Sequence, residues 1–492
     1  MLHTSKLHEL PELRSPPPAR EGPWLGIVLA LLTSLPFLFA VHPQQSDYAA
    51  HLARYHVMLN REGSDFLARY YDFDWIWSGN LGVDMLMWPL GALLGVEPAA
   101  WLIAVALPPL TGLAILSVEW VLRRRIGVGS LLALALVWSP AMLMGFANFT
   151  LAVALALFAF ALWVGLESRP WRAALFVAVG LAVWLCHSAG WGLLGVLVFG
   201  YEWHRRKAVA SLLAPWPLFL PFLAIAFQPG VAGSFDYGGG VAAYKFAIWL
   251  KALADHNPPL DMASALLLAV AIAAALNARR IDGSLGWAAL IVAVLTLAMP
   301  RHFGGGDFAD RRLVPVALML GCLAIDARVP RWALWLAPML LLARLGVTSL
   351  AWKEESGRLE AALAALDHLP QGARVAGAAA YDTGIWGADP FALAPGYATL
   401  YRDALVNTHF ALPGVHMLRL REGGAGFADP SQRIAARPGE SIDLSMHPPA
   451  ARADYLWYFG DNPVSKLPPG AVVLHRTRNS LLARLANRPR QR

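Results

Sequence analysis

Asp47, His51 and Arg54 stand four and three residues apart in Ser46-Asp47-Tyr48-Ala49-Ala50-His51-Leu52-Ala53-Arg54-Tyr55. On a helix that spacing puts a carboxylate, an imidazole and a guanidinium on one stripe. Ser46 is a good N-cap, so a helix is expected to begin there. A stripe of this kind can take a proton from a hydroxyl and hold an anionic group. The plainer account is an Asp favoured by the helix dipole and an Arg turned to lipid phosphate.

Two further groups carry the same kind of chemistry. Tyr70-Tyr71-Asp72-Phe73-Asp74-Trp75-Ile76-Trp77-Ser78-Gly79-Asn80, with Asp84 just beyond, mixes rings with carboxylates. Rings such as Trp75 stack on the apolar faces of sugars while carboxylates such as Asp74 accept from hydroxyls. An interfacial aromatic belt would explain the rings but not the acids, least of all Asp84 between Val83 and Met85. The third group is Pro300-Arg301-His302-Phe303-Gly304-Gly305-Gly306-Asp307-Phe308-Ala309-Asp310-Arg311-Arg312. Glycines permit close backbone approach. Arg301, His302, Arg311 and Arg312 suit a phosphate, with Asp310 among them. Smaller signals are His187, Asn148 and Arg344, the last inside an apolar run where a charge needs a partner or a phosphate. Residues 228–261 add Asp236, Tyr237, Lys245, Lys251, Asp255 and His256 in no recognisable motif.

The elements that must position these residues are membrane helices. Of 492 residues, 57% are hydrophobic and 15% charged, and mean hydropathy is +0.48. That composition lies outside the soluble class and excludes disorder, collagen-like repeats and disulfide scaffolds. The two cysteines, Cys186 and Cys322, both sit in apolar runs, so neither a disulfide framework nor a thiolate metal site is expected. Despite a net charge of +7, nucleic acid is not an expected partner, because the basic residues flank apolar runs in short clusters.

Apolar runs fall at 24–41, 98–122, 128–146, 150–166, 173–186, 189–202, 210–227, 262–277, 284–299, 312–326 and 331–350. About eleven transmembrane helices are therefore expected. Residues 1–23 read as a disordered cytoplasmic tail. Residues 42–97 read as a first outer loop with juxtamembrane helices, in which 81–95, holding Asp84 and Pro89, is interfacial or re-entrant. With the amino terminus cytoplasmic, Arg123–Arg125, Arg169/Arg172, Arg205–Lys207, Arg279/Arg280 and Arg328/Arg331 all fall inside, as the positive-inside rule asks. Residues 351–492 then form an extracytoplasmic α/β domain. A short amphipathic helix is expected over Leu359–Leu369, and strands over Ala373–Ala380, Asp454–Tyr458 and Ala471–His475.

This layout resembles the GT-C superfamily of integral-membrane glycosyltransferases, which use polyprenyl-phosphate-linked sugars. The likeness rests on Asp47 just past the first span, an aromatic first loop leading to Trp88-Pro89-Leu90, a span ending in Arg123–Arg125, one ending in Trp138-Ser139-Pro140, and a terminal outer domain. The resemblance implies a helical bundle capped by juxtamembrane helices, acting at the extracytoplasmic face of a bacterial inner membrane among its lipids. It implies transfer from a polyprenyl-phosphate-sugar donor to a lipid, glycan or protein acceptor, with inversion. Asp47 would be the general base, and Arg301, His302, Arg311 or Arg312 would stabilise the leaving phosphate, as would Arg344 if its side chain reaches the same pocket. Metal-dependent members carry an acidic pair in the second outer loop, where this chain reads Gly145-Phe146-Ala147-Asn148-Phe149. No divalent cation is expected unless Asp74, Asp84 or Asp310 supplies ligands. An O-antigen-ligase-like enzyme, which would need a large late outer loop, and a lipid or polysaccharide transporter are the competing readings, with a non-catalytic scaffold behind them.

Overall fold

The computed structural model describes residues 23–226, 235–304, 306–382, 384–411, 416–421 and 433–486. Apart from Pro23, the tail expected over 1–23 lies outside them.

Each of the eleven apolar runs is helical over at least part of its length. Eleven complete spans is nevertheless a count these helices do not give. Among the described residues four are long and apolar enough to cross a membrane: Val96–Arg123, Ala147–Gly165, Pro258–Asn277 and Arg331–His368. A fifth arises if Val209–Leu218 and Leu220–Ala226, bent by 65°, count as one span. The others are short, interrupted or, like the 19-residue Ser188–Arg206 with its polar last turn, not apolar enough along their length. At ~1.5 Å per residue, a helix of ten to seventeen residues falls short of a hydrocarbon core about 30 Å thick. Prolines explain several breaks, since the ring removes a donor and clashes with the preceding turn. Pro36 follows the end of Pro23–Leu32, Pro140 restarts the third run, and Pro217 and Pro221 lie in the bent pair.

The bundle is held by close helix pairs. Val96–Arg123 lies along Ala147–Gly165, and Gly283–Ala298 along Ala309–Ala324. Where Ser188–Arg206 meets Ala147–Gly165 the approach is so tight that a Cβ on Gly190 would come within 2.5 Å of the Ala152 Cβ. At the opposite end from the first-loop helix the arginine clusters are tied to buried acids. Glu119 faces Arg123 at 3.3 Å and accepts from the Gly127 and Ser130 amides, while Glu202 takes Arg172, Arg205 and Arg206.

Two juxtamembrane helices, Tyr48–Asn60 and Gly82–Leu94, cap the other end. Above them stands a six-stranded sheet in the order 472–476, 480–484, 455–459, 374–382, 405–406. Arg374–Asp382 is its centre. It pairs in parallel with Tyr455–Phe459 on one edge, and with Leu405–Val406 and then Arg433–Ala436 on the other. Its Val-Ala-Gly-Ala-Ala-Ala run is buried throughout, as a strand covered on both faces requires. The three expected strands are present within a residue or two, while 405–406, 433–436 and 480–484 escaped the sequence pattern. The helix expected over Leu359–Leu369 is no separate element. It continues the last apolar helix, which runs unbroken from Arg331 to Leu363 and ends in a tight turn at His368, with Leu359 and Leu366 buried. The bundle and the sheet are thus joined by one rod. They are joined again where Tyr71–Phe73 pairs antiparallel with Leu418–Leu420.

Candidate active site

The segment before the first-loop helix is pinned to the end of the third apolar run. Gln45 Nε2 donates to the Met142 carbonyl at 2.7 Å, and the Asp47 amide to Met144 at 3.1 Å. The helix starts at Tyr48, so Asp47 rather than Ser46 occupies the N-cap. Its φ and ψ of −91° and −5° are not those of an ordinary cap, and its side chain accepts no capping bond. The residue therefore packs against Gly145 without capping its own helix. Gly145 has φ +82°, and a Cβ there would lie 3.4 Å from the Asp47 Cβ. One turn on, His51 Nε2 lies 3.3 Å from the Gly145 carbonyl, while its buried Nδ1 has no hydrogen-bond partner.

Burial raises the Asp47 carboxyl to about pH 7, although Arg433, Arg312 and Arg54 pull the other way. An acid tuned there exchanges protons at neutral pH. His51 is pushed down to about 3 by burial and by Arg54, so its ring is neutral.

From the start of the helix Ala309–Ala324 the charge of Arg312 acts on this acid. Phe308 adopts φ +58° and caps the helix Ala309–Ala324, whose first turn carries Arg311 and Arg312. The Arg312 guanidinium lies 3.7 Å over the Phe146 ring and donates from Nη2 to the Asp307 carbonyl at 2.9 Å, leaving Nε unbonded. Arg311 rests over Phe308 at 5.4 Å, its buried Nε likewise unbonded. Neither has a carboxylate partner within 4.0 Å among the described residues. His187, at the start of Ser188–Arg206, accepts from the Ala189 amide at 3.1 Å and meets Phe149 edge-on. Burial and the charge of Arg312 hold it at about 3, hence neutral. The sheet contributes Arg433, whose charge acts on Asp47 and also on Asp389, itself raised to about 6 by burial.

The remaining candidates are committed elsewhere. Arg54 pairs with the fully buried Asp84 at 2.8 Å, and Asn148 donates to the same carboxylate at 3.3 Å. Asp310 is buried against Lys245 Nζ at 2.5 Å and the Tyr244 hydroxyl at 3.1 Å. Arg301 makes a two-pronged bond to Asp307, which His302 also approaches at 3.3 Å. Arg344 is bound to Asp261 at 2.5 Å and to the Trp138 and Leu253 carbonyls. Asp74 pairs with Arg419 across the strand junction, and the exposed Trp75 meets Phe73. Asp74, Asp84 and Asp310 are thus each occupied by a cation of the chain, and among the described residues no three His, Cys, Asp or Glu groups gather to hold a metal. This donor set does not fit a divalent ion.

No protein-family model matches the chain, and no curated protein matches it. Among solved structures, the crystal structure of ArnT from Cupriavidus metallidurans bound to undecaprenyl phosphate matches over 94% of this chain and 97% of that one. Identity is 12% and the TM-score 0.49. A likeness of that size assigns no role to any residue here.

Several residues of the site carry no sequence signal of their own. Gly145 and Phe146 stand out in the sequence only as the place where an acidic pair is missing, yet one backs Asp47 and the other seats Arg312. Arg433 lies on a strand that the sequence pattern does not reveal.

Proposed function

We propose that this chain is a membrane glycosyltransferase that moves a sugar from a polyprenyl-phosphate donor to an acceptor hydroxyl at the extracytoplasmic face. The observation that carries the reading is Asp47: a half-buried carboxylate, free of its own helix, raised to about 7 and acted on by Arg312, which has no carboxylate partner among the described residues. The donor class comes from the sequence resemblance, and a leaving phosphate is the anion that Arg311 and Arg312 lack.

In this reading the acceptor hydroxyl donates to the Asp47 carboxylate. As the acceptor oxygen bonds to the anomeric carbon from the face opposite the phosphate, its proton passes to Asp47. The bond from that carbon to the phosphate oxygen breaks, and its electron pair leaves on the phosphate, with inversion. Arg311 and Arg312 stabilise the developing charge; fixed donors aimed there are worth more than in water. The neutral His51 and His187 add no competing positive charge. The Arg54–Asp84 pair holds the two juxtamembrane helices together and Asn148 ties the second to the span Ala147–Gly165, so that Asp47 is held over Gly145.

The test is deletion of the gene and rescue with wild type or Asp47→Asn at matched protein levels, reading envelope glycans and polyprenyl-phosphate-sugar pools by mass spectrometry. Deletion is expected to remove one glycan substituent and to accumulate its lipid-linked donor, with rescue by wild type alone. Full rescue by Asp47→Asn would sink the reading.

A further inference from the structure

A hollow of about 370 Å³ opens between the end of the first apolar run and the start of Val96–Arg123, and Asp47 is not among the residues that line it. Tyr48, Trp101 and Pro98 line it, with His42 and Glu97. Glu97 stands in the first turn of a helix long and apolar enough to cross a membrane, so the hollow lies at the boundary where lipid headgroups sit.

The charge inside it is one-sided. The Glu97 carboxylate accepts from the Tyr401 hydroxyl, and among the described residues no Lys or Arg nitrogen lies within 4.0 Å of it. His42, edge-on to Tyr397 at 5.4 Å, is held below its ordinary range by burial even though Glu97 and Glu360 act to raise it. It therefore brings no positive charge at neutral pH. Helix-dipole stabilisation accounts for an acid in a first turn. It does not account for an open aromatic-walled space beside it. Rings beside an uncompensated carboxylate are the surroundings that an ammonium group prefers, through its attraction to ring faces and to the negative charge.

We propose that this hollow binds the ammonium headgroup of a phosphatidylethanolamine-type lipid, with Glu97 as counter-ion and Trp101 and Tyr48 as walls. The site is separate from Asp47 and does not depend on the transferase reading.

The experiment is native mass spectrometry of the full chain released from micelles doped with phosphatidylethanolamine or phosphatidylglycerol of the same acyl chains. Wild type and Asp47→Asn are expected to retain the ethanolamine lipid over the glycerol lipid by about tenfold. Glu97→Gln is expected to lose the preference. Trp101→Leu, which keeps the Glu97–Tyr401 bond, is expected to weaken it, so a folding defect in the first variant leaves the question decidable. A second arm titrates ethanolamine itself by ligand-observed NMR. Binding of free ethanolamine to wild type but not to Glu97→Gln, with no lipid preference, would overturn the headgroup assignment. Equal retention of both lipids, or a Glu97→Gln chain that behaves as wild type, would overturn the site altogether.

Discussion

In the proposed reading Asp47 couples catalysis and stability to pH through one group. Its carboxyl must be ionised to accept a proton, so turnover is expected to rise as pH climbs through about 7 and then level off. Asp47→Asn should lower the rate by about 10²–10⁴, the range of a lost general base, and abolish that rise. Stability runs the other way. A carboxyl raised from 3.8 to about 7 contributes most below the unfolded value, where both states are protonated, and loses its contribution as pH rises through the folded value. Asp47→Asn is thus expected to melt higher than wild type at pH 8 and level with it near pH 4. A pH series of thermal melts on the purified protein checks the sign, and a variant that melts lower at pH 8 would refute it.

Elements, rather than single residues, hold Asp47 in place. The Arg54–Asp84 pair locks the two juxtamembrane helices in a buried setting, where removing one partner strands the other. Asp84→Ala is expected to cost about 3–5 kcal/mol, and Arg54→Met with Asp84→Leu to recover most of it, because an apolar pair of similar volume replaces both charges. Chemical unfolding of both variants distinguishes this lock from a substrate contact, which would not be restored by the double change. Gly145 is the opposing surface. Gly145→Ala forces a side chain into a left-handed conformation at a cost of about 1–2 kcal/mol and crowds Asp47. Its rate should fall by more than that strain alone would explain, with the folded protein still recoverable in quantity.

Across the whole molecule, the 33-residue helix from Arg331 and the 71–73/418–420 strand pair tie the sheet to the end of the bundle that carries Asp47. If that end is extracytoplasmic, so is the sheet. Met446, 86% exposed, is a suitable reporter. Cys186 and Cys322 are buried and should give little background. Met446→Cys is expected to react with a membrane-impermeant maleimide in intact spheroplasts. Labelling only after lysis would invert the topology and remove the site from the extracytoplasmic face.

The membrane class, the eleven apolar runs, three strands and the helix that follows Asp47 were all legible in the sequence. Each depends on hydropathy, period or spacing, which are properties of neighbouring residues. The division of the charged residues into free and committed was not legible, because ion pairing joins distant segments. Arg344 finds Asp261 across 83 residues and Lys245 finds Asp310 across 65. From sequence alone Arg301, Arg311 and Arg312 were phosphate candidates alike, with Arg344 added if its side chain reached the same pocket. The fold neutralises Arg301 and Arg344 and, among the described residues, leaves Arg311 and Arg312 without a carboxylate partner. Tertiary structure also decided that Asp47 would pack against Gly145 instead of capping its own helix, since that required the chain around Met144 to come back across the bundle and take its amide.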